Sequence, residues 1–159
     1  MQNARLRVSH PGIQEVILVT GKDYMKACRE IFPVTEKLKI VAGGKERPDS
    51  VRAGLSALGS DMDFVLVHDG ARPYVSRKII GQIIEETLET GAAIPGVRPK
   101  DTVRNGKGTL DRSDLFSVQT PQGFSVSMLK RAYEEAEEKG FFGTDDASYV
   151  EQMGKKISV

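Results

Sequence analysis

The chain has 159 residues, of which 39% are hydrophobic and 28% charged, and its formal net charge is +1. This length suits one domain with a real core and is too short for two ordinary domains. A charge balance so close to neutral creates no general field for nucleic acid, so an acidic ligand must be held by local groups. With a single cysteine, Cys28, and no apolar run of membrane-spanning or signal-peptide length, the sequence predicts a cytoplasmic protein with no nucleic-acid or membrane partner.

Strands and helices alternate along the chain. Runs of β-branched residues predict strands over 15–20, 38–42, 64–68 and 92–95, and helical periodicity predicts helices over 22–31, 49–58, 77–90 and 125–139. Ser76 is the expected N-cap of the third helix and Gly91 its expected C-cap, and a last helix is expected to open at Thr144-Asp145-Asp146. This alternation predicts an α/β fold with a mostly parallel sheet.

The segment 101–115 breaks the alternation. It is polar, contains Gly106 and Gly108, and has no helical period, so it reads as an extended arm or hairpin. A hairpin of this kind cannot bury much surface alone, and a second copy of the chain is its most economical partner. The sequence therefore predicts a homodimer formed through the arm.

An apolar run from Phe64 to Val67 ends abruptly in His68-Asp69-Gly70-Ala71-Arg72-Pro73. Such a run suits a strand covered on both faces, and ligands of α/β sheets collect beyond the carboxyl ends of the strands. Asp69 and Arg72 are therefore candidate site residues. A solvated ion pair at the end of the strand, next to a turn proline, is the alternative that spacing alone leaves open.

Two other segments could hold phosphate. Gly43-Gly44 joins a predicted strand to a helix, where a nucleotide could approach free N–H groups, although it matches neither the phosphate-loop nor the dinucleotide pattern and such turns are common. The arm offers hydroxyl and guanidinium groups, which suit phosphate oxygens but equally suit a solvated face. Hydrolase and zinc-enzyme functions are disfavoured, because the sequence has no nucleophile elbow and no zinc-ligand spacing.

Taken in order, these motifs resemble the cytidylyltransferases of the non-mevalonate isoprenoid pathway, which join CTP to 2-C-methyl-D-erythritol 4-phosphate. The matching motifs are Gly43-Gly44 through Arg47, Ser50 and Val51; Val67-His68-Asp69 with Ala71-Arg72-Pro73; Lys100-Asp101-Thr102; Leu110-Asp111-Arg112; Gln119-Thr120-Pro121-Gln122; and Thr144-Asp145-Asp146-Ala147-Ser148. The resemblance covers essentially the whole chain. It implies one Rossmann-like nucleotidyltransferase domain over 1–159, with a mostly parallel sheet flanked by helices and a protruding β-arm for dimerisation at about 101–115.

The resemblance also implies roles for individual residues. Gly44 and Ser50 are similar to the family's cytosine and ribose contacts, and Asp69 lies where the family holds ribose and metal-bound phosphates, so Mg²⁺ or another divalent cation is the implied cofactor. Gly70 belongs to this nucleotide-binding group, although the family usually has another small residue such as alanine there. The substrate-binding residues implied are Arg72 and Thr102 for the methylerythritol end, and Arg112, Thr120 and Thr144 for its phosphate.

The implied catalytic residues are Asp69, Arg72 and Arg112, with Arg112 reaching into the neighbouring subunit's site. The implied reaction is in-line attack by the acceptor phosphate on the α-phosphorus of CTP, in which cations and magnesium matter more than any base. The family's opening glycine-rich segment and closing Asn, Lys and Thr loop have no match here, so the resemblance implies a domain incomplete at both ends. Without the cationic side chains of these two segments, the activity of the chain is expected to fall on the order of a thousandfold or more.

Two other functions stay open at this point. A ribitol 5-phosphate cytidylyltransferase has strongly overlapping motifs and differs in its acceptor. A non-catalytic remnant that dimerises through the arm and binds nucleotide or sugar phosphate weakly would also explain the unmatched termini.

Overall fold

The computed structural model describes residues 10–32 and 35–159. Its strands are β1 (Val16–Thr20), β2 (Leu38–Ala42), β3 (Phe64–Val67), β4 (Ala92–Ala93), β5 (Gly96–Val97), β6 (Arg104–Asn105), β7 (Gly108–Thr109), β8 (Ser117–Val118) and β9 (Gln122–Ser125). Its α-helices are α1 (Met25–Ile31), α2 (Arg47–Ser56), α3 (Arg77–Thr90), α4 (Val126–Glu138) and α5 (Asp146–Gln152). No helix in the described part of the chain is long and apolar enough to cross a bilayer.

The predicted α/β class is confirmed, with the strands in two main groups. β1 and β2 form a parallel pair in which Val16 lies opposite Leu38. β9 lies between β3 and β4 and runs antiparallel to both. Within residues 10–32 and 35–159 no ladder joins β1 to β3. Residues of β1 and β3 line a cavity of about 760 Å³, which we call the large cavity.

The main hydrophobic cluster lies on the side of β3, β9 and β4, while Leu38 and Ile40 of β2 are buried apart from it. It consists mainly of side chains from β4, β9, α4 and α5, and its most deeply buried large members include Phe124, Leu129, Tyr133 and Val150. The rings of Tyr133 and Tyr149 stack with centroids 4.4 Å apart, which ties α4 to α5. The elements that carry the core therefore also fix the start of α5, which lies at the candidate site.

The helix termini follow the predicted capping chemistry, with shifts in the first two helices. The helix expected over 22–31 begins as a 3₁₀ helix over Lys22–Tyr24 and continues as α1, and α2 ends at Ser56 instead of 58. Ser76 accepts a hydrogen bond from the N–H of Ile79, and Gly91 ends α3 in the left-handed region at a φ of 84°. The expected start of the second helix at 49 or 50 is wrong, because α2 begins at Arg47. A capping box between Glu46 and Asp49 satisfies the free N–H groups earlier than the sequence suggested.

Two strand predictions also need correction. β3 is not covered on both faces: Phe64 is 37% exposed and the rest of the strand is only partly buried, because the large cavity lies beside it. The strand expected over 92–95 is limited to Ala92–Ala93, since the N–H of Ile94 leaves the β9 ladder and donates to the carbonyl of Ser158.

The segment predicted as an arm contains a hairpin. β6 and β7 pair antiparallel, with Arg104 opposite Thr109 and Asn105 opposite Gly108. The hairpin is closed further by the N–H of Leu110, which donates to the carbonyl of Val103. Its hairpin form is thus confirmed, while its pairing with a second copy stays a prediction.

Candidate active site

The loop after β3 is held by a short network centred on Thr120. The N–H of Asp69 donates to Thr120 Oγ1 over 3.2 Å, and the same oxygen lies 2.9 Å from His68 Nδ1. His68 Nε2 lies 2.9 Å from the carbonyl of Arg72. A carbonyl oxygen can only accept, so His68 Nε2 carries a hydrogen and donates it to Arg72, which closes the turn.

Asp69 lies between two guanidinium groups. Arg72 Nε is 3.3 Å from Asp69 Oδ2, and Arg47 Nη2 is 3.4 Å from Oδ1. The ion pair that the sequence left open as an alternative therefore exists. It does not seal the turn, because the side chains of Asp69, Arg72 and Arg47 remain 34%, 46% and 38% exposed.

These charges line a second cavity of about 280 Å³, which we call the small cavity. Its wall is Arg47, Asp69, Arg72, Val118, Gln119, Thr120, Gln122, Thr144 and Asp145. The structure thus brings together four of the residues predicted for the site, namely Asp69, Arg72, Thr120 and Thr144. Arg47 and Asp69 also line the large cavity, so the two cavities share a wall at the ion pair.

Behind Arg47 lies a buried carboxylate. Asp146 is fully buried, and its Oδ2 accepts a hydrogen bond from Arg47 Nη2 at 2.5 Å while its Oδ1 accepts one from the Tyr133 hydroxyl at 2.6 Å. Burial lowers the pKa of Arg47, but the hydrogen bond and charge of Asp146 outweigh it and raise that pKa. Burial also raises the pKa of Tyr133, and the charge of Asp146 raises it further. Both groups therefore keep their protons well into the alkaline range.

Gln122 and Asp145 fix the start of α5 against the sheet. The Gln122 side chain, only 1% exposed, donates from Nε2 to Asp145 Oδ2 over 2.7 Å and accepts at Oε1 from the N–H of Ala147. Asp145 is the N-cap of α5 and accepts at Oδ1 from the N–H of Ser148. Thr144, one residue before the cap, is consequently held at the wall of the small cavity.

Ser50 and Gly70 line the large cavity together with Asp69, and Gly44 packs against Asp49. A Cβ on Gly44 would lie 2.1 Å from the Cβ of Asp49, so the capping box alone accounts for a glycine there. The Ser50 hydroxyl donates to the carbonyl of Glu46. A Cβ on Gly70 would meet nothing within 4 Å, so the alanine that the family usually has at this position would fit there.

Thr102 and Arg112 lie on the arm, and neither lines the small or the large cavity. The Arg112 guanidinium donates to the carbonyl of Lys100. The roles inferred for these two residues stay predictions.

Sequence reasoning assigned no role to four residues of this network, which are Arg47, Gln122, Tyr133 and Asp146. Arg47, Gln122 and Asp146 stand within matched motifs, so their roles could have been sought there, and Arg47 and Asp146 each open a helix. Tyr133 gave no signal, since it lies on the apolar stripe of α4.

Asp69 fits a divalent cation that arrives with phosphate groups. Mg²⁺ in proteins is commonly held by one or two carboxylates together with substrate phosphates and waters. Among residues 10–32 and 35–159 no group of three or more acidic, histidine or cysteine side chains could form a complete cage. Asp69 is a single carboxylate on a cavity wall, and it therefore suits a Mg²⁺ ion that is held jointly by a carboxylate and by substrate phosphates.

An α/β sheet with two guanidiniums and two hydroxyls gathered around one carboxylate is typical of an enzyme that handles phosphate groups at the ends of its strands. The model of the 2-C-methyl-D-erythritol 4-phosphate cytidylyltransferase family matches residues 2–159. The chain belongs to this family of nucleotidyltransferases, which confirms the resemblance inferred from its motifs.

Relatives and solved structures agree with this assignment. The chain is 43% identical over 164 residues to the 2-C-methyl-D-erythritol 4-phosphate cytidylyltransferase of Bacillus velezensis, a match that covers 98% of this chain and 70% of that protein. It is 42% identical to the protein of the same name from Bacillus licheniformis, over 95% of this chain and 68% of that one. The crystal structure of 4-diphosphocytidyl-2C-methyl-D-erythritol synthase from Anaerococcus prevotii superposes with a TM-score of 0.92 at 28% identity, covering 99% of this chain and 73% of the other.

Proposed function

We propose that the chain transfers a cytidylyl group from CTP to 2-C-methyl-D-erythritol 4-phosphate and releases pyrophosphate. The observation that carries this proposal is the position of Asp69 between Arg47 and Arg72 at the wall shared by the two cavities. Family membership supports the choice of nucleotide and acceptor, because the matched relatives bear the name of that reaction.

In the proposed reaction a phosphate oxygen of the acceptor attacks the α-phosphorus of CTP. One P–O bond forms there, the bond to the bridging oxygen of the β-phosphate breaks, and that oxygen leaves with pyrophosphate. Little covalent work is left to the protein, so its contribution is to position the two phosphates and to offset their charge. We assign Thr120 and Thr144 to the acceptor phosphate and Arg72 to the methylerythritol end beside it, since all three line the small cavity.

The nucleotide is assigned to the side of the large cavity, where Ser50, Gly70 and Asp69 form part of the wall. Gly44 is kept as a cytosine contact on the strength of the resemblance alone. A divalent cation, proposed as Mg²⁺, would be held by Asp69 and the CTP phosphates and would supply further neutralisation of phosphate charge. The guanidiniums of Arg47 and Arg72 lie within 3.4 Å of the Asp69 carboxylate, so they would stand beside that cation.

We also propose that the arm pairs two copies of the chain and brings Arg112, with Thr102, to the partner's site. Support comes from the hairpin itself and from the finding that neither residue lines the small or the large cavity of its own chain. A cytoplasmic location for the reaction is a further part of this proposal and rests on the cysteine usage.

The proposal is tested by incubating the chain with CTP, Mg²⁺ and 2-C-methyl-D-erythritol 4-phosphate and measuring pyrophosphate release. Asp69→Asn should abolish the release, and Asp23→Asn, an exposed acid outside the site, should not change it. Ribitol 5-phosphate added in equal amount should not displace the methylerythritol acceptor. No pyrophosphate from the wild-type chain at high enzyme concentration would overturn the proposal for this chain, and preference for ribitol phosphate would overturn the choice of acceptor.

A further inference from the structure

Arg47 is held from behind by a carboxylate that lies outside the cavities. Asp146 is fully buried and lines neither the small nor the large cavity, whereas Arg47 lines both. One nitrogen of the guanidinium, Nη2, lies 2.5 Å from Asp146 and 3.4 Å from Asp69. The arginine therefore connects the buried interior to the cavity wall.

The contact to Asp146 is the dominant one. The Asp146 carboxylate also accepts the Tyr133 hydroxyl at 2.6 Å, and it stands in the first turn of α5, where the helix dipole favours a negative charge. Its position is fixed further by the bond from the next residue, Ala147, to the buried Gln122 side chain. The guanidinium is thus anchored to a rigid part of the core, and the longer bond to Asp69 is the adjustable one.

Stability alone is a weak explanation for this arrangement. Burying the Asp146 carboxylate and half-burying Arg47 is costly, and such an ion pair is often no more stabilising than apolar side chains of the same volume. The surroundings of Asp146 offer such an alternative, since Tyr133, Tyr149 and Val150 already form an apolar core there. What the ion pair adds is a fixed place and orientation for a cation on the wall of the cavities.

We propose that Asp146, together with the Tyr133 hydroxyl, is a positioning residue that orients Arg47 and, through Arg47, the Asp69 carboxylate. In the described part of the chain the Nε and Nη1 groups of Arg47 make no hydrogen bond, so they remain available as donors for phosphate oxygens. The expected effect of Asp146 on kcat rests on the proposed function, whereas its effect on the mobility of the Arg47 guanidinium does not.

The first measurement needs no turnover. In ¹⁵N-labelled protein, the rotation of the Arg47 guanidinium about the Nε–Cζ bond is followed by NMR in the wild type, in Asp146→Asn and in Val150→Ala. Asp146→Asn should speed this rotation at least severalfold. Val150→Ala, which removes buried volume from the same helix but leaves the ion pair, should not. Equal rotation rates in all three proteins would overturn the proposal.

The second measurement separates positioning from a structural role. Asp146→Asn should lower kcat by up to about a hundredfold, as expected for a misplaced group near reacting phosphates, with a smaller change in KM for CTP. Val150→Ala should keep kcat close to the wild-type value at a temperature where both variants are folded. A loss of kcat that is the same in both variants, or absent from Asp146→Asn, would contradict the proposal.

Tyr133→Phe covers the case in which Asp146→Asn does not fold. It removes one hydrogen bond to Asp146 and keeps both charges, so the rotation of Arg47 should speed up less than in Asp146→Asn but measurably. Unchanged rotation in Tyr133→Phe, with Asp146→Asn unfolded, would count against the proposal. If the wild type shows no turnover, the proposed function fails while the rotation rates still decide the positioning role.

Discussion

Gly123 lies in the middle of β9, where the backbone passes very close to the side chain of Thr87. A Cβ at this position would lie 2.0 Å from Thr87 Oγ1 and 3.0 Å from Ile83 Cγ2. Thr87 is only 1% exposed and its hydroxyl donates to the carbonyl of Ile83, so it has little freedom to move away. The glycine is therefore required by packing between β9 and α3.

Gly123→Ala should lower the free energy of unfolding by about 1–3 kcal/mol or more, the usual cost of overpacking a core. Urea denaturation followed by circular dichroism measures this change. Gly106→Ala is the matched control, because a Cβ there meets nothing within 4 Å and its φ is not positive. Equal midpoints for the two variants would show that α3 can shift away from β9.

Ionisation of Tyr133 makes the free energy of unfolding depend on pH in the alkaline range. Burial, followed by the charge of Asp146, raises its pKa in the folded protein, whereas a tyrosine in the unfolded chain ionises near pH 10. Above that pH the folded state binds more protons than the unfolded state, so stability falls as the pH rises. The contribution of this residue is complete below about pH 10 and is lost above it.

The advantage of the wild type over Tyr133→Phe in free energy of unfolding should thus be about 1.4 kcal/mol smaller at pH 11 than at pH 8. Denaturation curves of both proteins at the two pH values give this difference. Tyr74, which is 95% exposed, provides the control, since Tyr74→Phe should leave the pH dependence of the wild type unchanged. An advantage that is constant with pH would mean that Tyr133 ionises equally in both states.

At the scale of helices and strands, the local elements could be predicted and the site network could not. The termini of α3 and α4 follow from Ser76, Gly91 and Ser125, whose capping chemistry is visible in the sequence. The Arg47 to Asp146 bond joins residues 99 positions apart. It exists only because β9 and α4 bring the starts of α2 and α5 together, and no local pattern encodes that packing.

The strand after residue 64 illustrates the same limit. Its apolar composition correctly predicted a strand that ends at the site, but composition reports what a strand can bury and not what covers it. The partial exposure of Phe64 depends on the large cavity beside β3, which is a property of the assembled sheet. Asp69 and Arg72 were found because they follow a strand end, where chemistry is concentrated irrespective of packing.

The arm is the element with the least support from its own chain, so its function is tested by exchange between subunits. Arg112→Ala should lower pyrophosphate release by about a hundredfold if its guanidinium completes the partner's site, because one well-placed donor is often worth that much. Its thermal unfolding should not change, since the side chain is exposed. Arg104→Ala, an exposed arginine of the same arm, is the matched control and should stay active.

Mixed dimers sharpen the test of the arm. A dimer of one Arg112→Ala subunit and one Asp69→Asn subunit has one intact site if Arg112 acts in the partner, and it should regain part of the turnover. Failure to regain any turnover, with dimers verified by sedimentation, would place Arg112 in its own subunit's site or outside the reaction.

For the whole molecule, the uneven distribution of the core predicts uneven stability. The core cluster is built from β4, β9, α4 and α5 with Leu55 of α2, whereas every residue of β1 is only partly buried and β2 contributes only Leu38 and Ile40 as buried side chains. β1 and β2 pair with each other, and in the described residues no ladder ties them to β3. Regions with few buried apolar contacts open at lower free energy than the core.

Native-state hydrogen exchange should therefore resolve two levels of protection. The amides of β1 and β2 should exchange through a sub-global opening that exposes less surface and depends weakly on denaturant, while those of β9 and α4 exchange only through global unfolding. Gly123→Ala should lower the protection of the β9 and α4 amides, because it lowers the free energy of global unfolding. The protection of the β1 and β2 amides should stay nearly unchanged as long as global unfolding costs more free energy than the sub-global opening. One common free energy for all four elements would show instead that the packing of α2 onto β1 and α4 couples both parts of the fold into one cooperative unit.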